Sequence, residues 1–554
     1  LCVGFAYAKG KVIVLSEEMC REKAVLERLG KLFRKNKLVA HMGKHDLKGL
    51  YSKIGPLEQF GDTLIASYCM NEYSGIHKPH SLEYIGVEHF GTPDWKHALD
   101  PWNPRKYGYG AVPRDVLYKY NAYDCGVEWD VWEEYSRRLD EQGLRKTHDF
   151  MVAASNELVF VELGGITVDR EYLPQLAEDF EDRLGMLEIE LNLRLKDGCN
   201  YDKNGGVNPR SPVQLKKAFK DLGASVGSTD VETCEFIIEK KGLDHPLGAF
   251  ASKLLEHRGL TKDYGTYVKG IEKLIYRGRV YPNFLLHGTT SGRLSCRNPN
   301  LQNIPRKSSI RRLFKVAKDT NRFIQADYGQ AELRILSWLS GDRYFTDIFN
   351  DTDRDIFDEI SAALFPDIPK ATTDPEEFKQ LRAVKVKPYV YGLAYGRTEY
   401  GLAPDLGITI AEARELKEKF FELIPRIIEW QSWIKQEVAS GRDLVSPFGR
   451  HRRFYLLTNE NYDKTMREAL AFLPSSTSSD VCLSAMVRIR RATKGYAWVR
   501  NIVHDSILVE TDESSVPDIR ALMEEEMLKA GRELVGDYVK FAVDTKVGMN
   551  WGEV

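Results

Sequence analysis

The sequence predicts a multidomain α/β protein, and three observations carry that prediction. Its 554 residues correspond to about three or four domains at ~150 residues each. The 43% apolar and 11% aromatic content can fill several cores. Strand-like apolar runs alternate along the chain with stretches whose apolar residues recur every three to four positions. With 79 basic against 81 acidic residues the formal charge is -2, which excludes a histone-like polycation and an acidic disordered tail. No apolar run approaches the ~18 residues of a membrane span and no leader pattern is visible, so no membrane partner and a cytoplasmic location are expected. The eight cysteines (Cys2, Cys20, Cys69, Cys125, Cys199, Cys234, Cys296, Cys482) form no CxxC pair, which points to buried thiols rather than a zinc site or a disulfide framework.

Taken in order, the elements begin with LCVGFAYAKGKVIVL, an apolar run from Leu1 that Gly10 divides into a hairpin. It reads as cut from something longer. Residues 1–150 mix short apolar runs, such as Val12 to Leu15 and Leu38 to Ala40, with charged helical stretches, the pattern of an α/β domain with a mixed sheet. From Leu158 to about Ile275 the chain turns helical, and DREYLPQLAEDFEDRLGMLEIELNLRL reads as one long amphipathic helix. Residues 281–340 return to strand and turn, 342–440 are mainly helical, and the last hundred alternate helices with strand-like runs at 501–510 and 539–547.

Basic residues are clustered despite the neutral total. Arg306, Lys307, Arg311, Arg312 and Lys315 form one group; Lys379, Arg382, Lys385, Lys387 and Arg397 a second; Arg450, Arg452 and Arg453 beside His451 a third. One such cluster is ordinarily a solvated face, whereas three around the motifs below predict contact with a polyanion.

The most informative segment is Arg322-Phe323-Ile324-Gln325-Ala326-Asp327-Tyr328-Gly329-Gln330-Ala331-Glu332-Leu333-Arg334. An apolar strand ends in Asp327, and a helix follows with Leu333, Leu336 and Leu339 on one face. Downstream, Asn501 to Glu510 presents Asp505 at a hairpin tip between two apolar strands. A lone His504-Asp505 pair is ordinarily just a turn, but two carboxylates on adjacent strands are the minimal scaffold for a pair of Mg²⁺ ions in phosphoryl or nucleotidyl transfer.

These residues carry a resemblance. The chain resembles the family A DNA polymerases, the DNA polymerase I-like group, and looks closest to their phage-encoded branch. Asp327 to Arg334 is similar to the first palm motif and Val503-His504-Asp505 to the third. Lys387-Pro388-Tyr389-Val390-Tyr391-Gly392-Leu393-Ala394-Tyr395-Gly396 is similar to the fingers-helix motif. Thr290 to Ser295, followed by Asn298 to Pro305, resembles the segment that grips the primer-template minor groove. The four stand in family order. The fold this implies is an RNase H-like exonuclease domain followed by a right-hand polymerase with a thumb, a palm carrying an antiparallel sheet, and helical fingers. The implied boundaries are 1–150 for the exonuclease-like domain, 151–285 for the thumb, 286–341 for the first part of the palm, 342–470 for the fingers and 471–554 for the rest of the palm.

By this resemblance Asp327 and Asp505 are catalytic and, with the Tyr328 backbone carbonyl, hold two Mg²⁺ ions, for which Mn²⁺ can substitute. Lys387 meets the incoming triphosphate, Tyr391 lies beside its sugar and base, and Tyr395 lies near the template base. On an α-helix these three fall at i, i+4 and i+8, one face advancing about 40° per step. Glu332 is the steric gate against a ribose 2′-hydroxyl. Arg293, Gln330 and His504 touch the primer terminus or minor groove, and Arg467 touches template phosphate. The implied partners are primer-template DNA and dNTPs, the chain acting as a monomer, in the host cytoplasm if phage-encoded.

The chain departs from the family at several positions. Ala383 stands where an arginine is usual, leaving Arg382 and Lys385 as the nearest candidates for the nucleotide, with Arg382 on another α-helical face from Lys387. Pro388 requires the helix to start or kink there. Ser475 replaces a minor-groove glutamine, and Ser506 a frequent glutamate. Tyr391, where many relatives carry phenylalanine, implies weak discrimination against dideoxynucleotides.

In the first domain, His41 to Asp46 and Tyr120-Asn121-Ala122-Tyr123-Asp124 resemble the second and third motifs of the attached proofreading exonucleases, which makes Asp46, Tyr120 and Asp124 the exonuclease-like residues. Tyr120 and Asp124 share a helix face. The family's opening Asp-x-Glu is absent, no acid preceding Glu17, and Met42 replaces a usual asparagine, so this domain is expected to be folded but inactive. Leu158 to Asp169 and Asn208 to Leu215 resemble the start of the thumb, where Lys216, Lys217, Lys262, Lys269 and Lys273 are placed to track duplex phosphates. The alternatives are a polymerase that also copies RNA and a DNA-binding relic without synthesis; the relic predicts loss of a metal carboxylate, yet Asp327 and Asp505 are both present.

Overall fold

The computed structural model describes residues 2–73, 79–195, 206–306, 308–365 and 375–554. Leu1, Cys199 and Lys307, named above, lie outside the described residues. The chain divides into two compact units. One comprises Leu1–Gly164, Phe284–Arg297 and Ile324–Lys546, the other Gly165–Asn283, Asn298–Phe323 and Val547–Val554.

In the first unit, β1 (Val3–Ala8) and β2 (Lys11–Leu15) form the antiparallel hairpin expected from the opening run, with Val3 opposite Leu15 and Ala8 opposite Lys11. Gly10, at φ +66°, makes the turn, a conformation that costs glycine nothing. The mixed sheet expected for residues 1–150 is instead two separate pairs: this hairpin, and a two-residue parallel pair between Val39–Ala40 and Gly61–Asp62. Helices supply the remaining frame. The helix α1 (Thr63–Met70) is buried from Thr63 to Cys69 and capped by Asp62, whose carboxylate accepts from the Leu64 and Ile65 amides. Two long helices follow, α2 (Arg114–Glu141) and α3 (Arg145–Gly164). The first buries Val127, Val131, Tyr135 and Leu139, one residue per turn along one stripe.

The same unit contains most of the central sheet. Its strands are β3 (Asn321–Tyr328), β4 (Ala497–Val503), β5 (Ser506–Asp512) and β6 (Val543–Gly548), in the order β4-β5-β3-β6. The antiparallel β4/β5 pair closes on a two-residue tip, Val503 facing Ser506, with His504 at φ +55°. Arg500 is a bulge in β4, and its guanidinium reaches Glu510 at 2.8 Å, both side chains buried. Around this sheet lie α4 (Ala331–Ser340), α5 (Lys387–Ala394) and the 31-residue α6 (Tyr462–Ala492). The run at 539–547 is strand only from Val543.

In the second unit the expected amphipathic helix spans Tyr172–Leu193 and buries Leu173, Leu176, Phe180, Leu184, Leu187 and Leu191. A three-stranded sheet joins Arg279–Val280, Ile166–Val168 and Phe314–Lys315.

Several members of two of the three basic clusters are held by partners within the protein, while Arg306 and Arg312 stay exposed. Arg311 is buried, its guanidinium 4.5 Å from the Trp551 ring centroid and bonded to the Ile304 carbonyl at 3.1 Å. Arg312 lies over Tyr172, and Lys315 pairs with Asp169 at 3.2 Å. Arg450 is buried in a two-bond pair with Asp480, at 2.7 and 2.8 Å. Arg453 and Arg452 pair with Glu72 at 2.7 and 3.5 Å. Composition reports charge, but not the acids brought opposite it from distant parts of the chain. Cys20, Cys69, Cys234 and Cys482 are buried free thiols. Among the described residues, no helix is long and apolar enough to cross a membrane.

Candidate active site

Strand β3 buries apolar residues on both faces, with Phe323, Ile324 and Ala326 fully buried, and ends at Asp327-Tyr328. Tyr328 is anchored at both ends. Its hydroxyl donates to the Met527 carbonyl at 2.6 Å in the core, and its amide donates to the Asp505 carbonyl at 3.1 Å. The second bond joins the end of β3 to the β4/β5 tip, and Asp327 on the strand and Asp505 in the tip both stand half-buried. Both bear on one thiol: burial holds Cys482, on α6, well above its ordinary value, and the Asp505 and Asp327 charges add to it. His504 is exposed at the tip. Ser506 donates its hydroxyl to the Val503 carbonyl at 3.0 Å, which closes the turn.

Beyond Asp327 the chain turns sharply. Gln330 sits in the left-handed region at φ +52°, directly before α4, and its side chain does not cap the helix. Arg334, on the core side of that helix, holds the turn with a 2.7 Å bond from Nε to the Gly329 carbonyl and bonds to the Phe349 and Lys540 carbonyls. Burial brings its guanidinium down to about 10. Sequence reasoning gave Arg334 no role; an arginine beside Leu333 and Leu336 on an apolar face was the available signal.

Glu332, in the first turn of α4, gathers residues from two other segments. Arg293 forms an ion pair with it, and the Tyr395 hydroxyl donates to it. Arg293 also donates to the Ser475 hydroxyl at 3.0 Å. Arg293, Glu332 and Tyr395 are therefore brought together, with Ser475 beside Arg293. Arg467 is exposed on α6.

The fingers motif differs from an uninterrupted α-helix. Arg382–Val386 is a π-helical turn, and the Lys387 amide donates to the Arg382 carbonyl five residues back. In an α-helix, residues five apart lie on different faces; the wider turn aligns them. Arg382 and Lys387 consequently stand over the same ring, 5.3 and 5.2 Å from the Phe357 centroid. This corrects the expectation of separate faces, and a turn of this width also accommodates Pro388, which lacks an amide to donate. The Arg382 guanidinium is paired with Asp355 at 2.6 Å and Asp358 at 3.3 Å. Phe357, Tyr391 and Tyr395 form an aromatic row with centroid spacings of 6.2 and 6.3 Å. Phe357 and Asp355 were missed because they lie about thirty residues from the motif and carry no local pattern. The helix ends at Ala394, leaving Tyr395 at its C-terminus before Gly396 at φ +80°.

Asp46, Tyr120 and Asp124 of the N-terminal region also converge. Burial, with the Asp62 and Asp124 charges, pushes Asp46 up to about 6. Asp124 accepts from the Trp95 indole at 2.8 Å and lies 3.6 Å from the Lys96 ammonium, which also donates to the Tyr120 hydroxyl at 3.0 Å. Two further acids join them. Glu128, one turn after Asp124 on α2, is held well above its ordinary value by burial and by Asp46, Asp62 and Asp124. Asp62 accepts four amides, from Met42, Gly43, Leu64 and Ile65, at 2.9–3.2 Å. The spacing of Tyr120, Asp124 and Glu128 at four-residue steps was the signal for Glu128. Among the described residues, no group of three or more His, Cys, Asp and Glu side chains is arranged to hold a metal ion.

Comparison with known proteins agrees with this geometry. The family model described as DNA polymerase family A matches residues 171–553. DNA polymerase I of Chloroflexus aurantiacus is 30% identical over 543 residues, covering 93% of this chain and 54% of the relative. That of Borreliella burgdorferi is 25% identical over 572 residues, covering 99% and 58%. The chain thus spans little more than half the length of these relatives. In fold it is similar to the POL domain of Pol1 from M. smegmatis, solved in complex with DNA primer-template and dNTP, with a TM-score of 0.79 at 24% identity, covering 98% of this chain and 91% of that one. The family model spans the carboxylate pair, the fingers helix and the segment carrying Arg293, and on that match the chain belongs to DNA polymerase family A.

Proposed function

We propose that this chain is a template-directed DNA polymerase that extends a primer on DNA by nucleotidyl transfer from dNTPs. The observation that carries the reading is the backbone bond from Tyr328 to Asp505, which ties the carboxylate at the end of β3 to the one at the β4/β5 tip. Two carboxylates and a peptide carbonyl are hard oxygen donors, suited to Mg²⁺ or Mn²⁺. Asp327, Asp505 and the Tyr328 carbonyl would hold two such ions, which when bound would stabilise charge on the transferring phosphoryl group.

The protein's own groups do the remainder. Lys387, with Arg382 aligned beneath it by the π turn, offers positive charge to the triphosphate. Tyr391 and Tyr395 supply ring faces for sugar and base. Glu332, tied to Arg293 and Tyr395, stands as the barrier to a 2′-hydroxyl. Arg293, Gln330 and His504 take the primer terminus and minor groove, and Arg467 takes template phosphate. In this reading 151–285 is the thumb, 286–341 and 471–554 the palm and 342–470 the fingers, in a monomeric cytoplasmic enzyme.

Residues 1–150 form, in the same reading, an RNase H-like domain related to proofreading exonucleases but inactive in this chain. What supports inactivity is that Asp124 already binds Trp95 and Lys96, and Asp62 is fully used on four amides. The relatives named above are bacterial, and nothing in them supports a phage-type lineage; the mechanism does not depend on it. Extension of a DNA primer with Mg²⁺ and dNTPs, on matched DNA and RNA templates, tests the proposal. Extension on DNA supports it, equal extension on RNA widens the template class, and none on either overturns it.

A further inference from the structure

A chain of hydrogen bonds runs from the N-terminal domain into the polymerase site. Tyr68, on α1, is 4% exposed, and its hydroxyl donates to the Thr289 carbonyl at 2.6 Å. The Thr289 hydroxyl donates to the Arg293 carbonyl at 2.8 Å, and Ser291 donates to the Thr289 hydroxyl at 3.3 Å. Arg293 in turn reaches Glu332 and Ser475. The turn is also fixed from its other side. Gly292 is buried at φ +78°, and a Cβ there would stand 2.7 Å from Arg450 Cδ and 3.1 Å from Ser476 Oγ. Arg450 cannot yield, being held by Asp480 through two bonds. A turn gripped on both sides, with its one long cation directed at Glu332, has the properties of a positioning device. An arginine left to its own rotamers would lose several torsions on reaching the same partners.

We infer that Tyr68 is a positioning residue for nucleotidyl transfer. Through the Thr289 carbonyl it sets the conformation of the 289–293 turn and so the reach of Arg293 to Glu332 and Ser475. The N-terminal domain is then part of the polymerase apparatus in its own right, whatever its relation to exonucleases. The inference rests on the polymerase reading above.

The test uses Tyr68→Phe in the full chain, which removes one oxygen and keeps the ring that packs against His80. Steady-state primer extension should show kcat lowered about fivefold with KM for dNTP and affinity for primer-template nearly unchanged. A general loss of structure would lower the melting temperature and the active fraction but would not depend on Arg293. The deciding arm is therefore the Arg293→Ala background, where Tyr68→Phe should have no further effect. Thr289→Val breaks the next link and should reproduce both results, including the case in which Tyr68→Phe folds poorly. An unchanged kcat in both variants overturns the inference, as does the same fold-loss with and without Arg293. Failure of the parent chain to extend any primer counts instead against the polymerase reading.

Discussion

The Tyr328 amide and the Asp505 carbonyl are joined by a 3.1 Å hydrogen bond, which ties the end of β3 to the tip that carries Asp505. The bond uses backbone alone, so the site's frame survives loss of either carboxylate. Asp505→Asn should therefore leave primer-template affinity within about threefold while synthesis falls by at least about a thousandfold, ~4 kcal/mol of transition-state stabilisation. Fluorescence anisotropy and primer extension on the same sample measure both. Synthesis within tenfold of the parent would remove Asp505 from the catalytic pair.

Arg450 and Asp480 form a buried pair whose worth lies in its completeness. Burial opposes the Arg450 charge, and the Asp480 carboxylate overrides it, holding the guanidinium above its ordinary value. Arg450→Met strands a carboxylate at 0% exposure, which should cost about 3–5 kcal/mol and lower the melting temperature by several degrees. Replacing both, as Arg450→Met with Asp480→Leu, should recover most of that loss. Equal melting temperatures for the single variant and the parent would show that water already reaches the pair.

How much of this was legible in the sequence depended on whether the signal was local. The strand ending at Asp327, the hairpin tip at Asp505 and the helix Tyr172–Leu193 follow from periodicity and turn chemistry within a few residues. The alignment of Arg382 with Lys387 does not, because a π turn changes which residues share a face, and a count made at 3.6 residues per turn assigns them wrongly. The acids that face the basic clusters were not legible for another reason. The partners of Arg453 and Arg450 are Glu72 and Asp480, at distances along the chain that no local pattern encodes. Glu332 was recognisable from its motif, whereas its ties to Arg293 and Tyr395 exist only once three separate segments fold together.

Tyr391 lies half-buried between Phe357 and Tyr395, its ring held by both. A phenol at this point can replace a hydrogen bond that a 3′-deoxy sugar lacks, whereas a bare ring cannot. The parent should accept dideoxynucleotides within about tenfold of normal nucleotides, and Tyr391→Phe should reject them by about a hundredfold more, ~2.7 kcal/mol. Competition between labelled terminators and dNTPs in single-nucleotide extension gives the ratio. A parent that already rejects terminators by thousands would defeat the assignment.

His80 is 5% exposed, and burial brings its imidazole down from 6.5 to about 4, against the opposing influence of Glu72. Its Nδ1 lies 2.9 Å from the Ser67 hydroxyl. Between pH 6.5 and 4 the unfolded chain therefore binds a proton that the folded chain does not. The resulting stability is fully present above about pH 6.5 and is lost as the pH falls toward 4, by ~1.4 kcal/mol per unit at most. His80→Gln removes that proton from the balance, so its melting temperature should fall less between pH 7 and 5 than that of the parent. Parallel pH profiles would mean that His80 titrates equally in both states.

The N-terminal acids supply the last prediction. Asp124 is neutralised from within by Lys96 and bonded to Trp95, and Tyr120 accepts from the same lysine. Asp62 is committed to the turn at Met42 and to the start of α1, and Glu128 is held toward its protonated form by burial among the other acids. A site for divalent ions needs ionised carboxylates with open lone pairs, and this group offers few. A 3′-mismatched primer incubated with Mg²⁺ and no dNTP should stay intact with the parent chain. Lys96→Met should also leave it intact, because releasing Asp124 frees neither Asp62 nor Glu128. Digestion by Lys96→Met alone would identify that lysine as an internal cation blocking a competent site. Digestion by the parent would mean that the acids rearrange on binding a single strand, and the inactive reading would be lost.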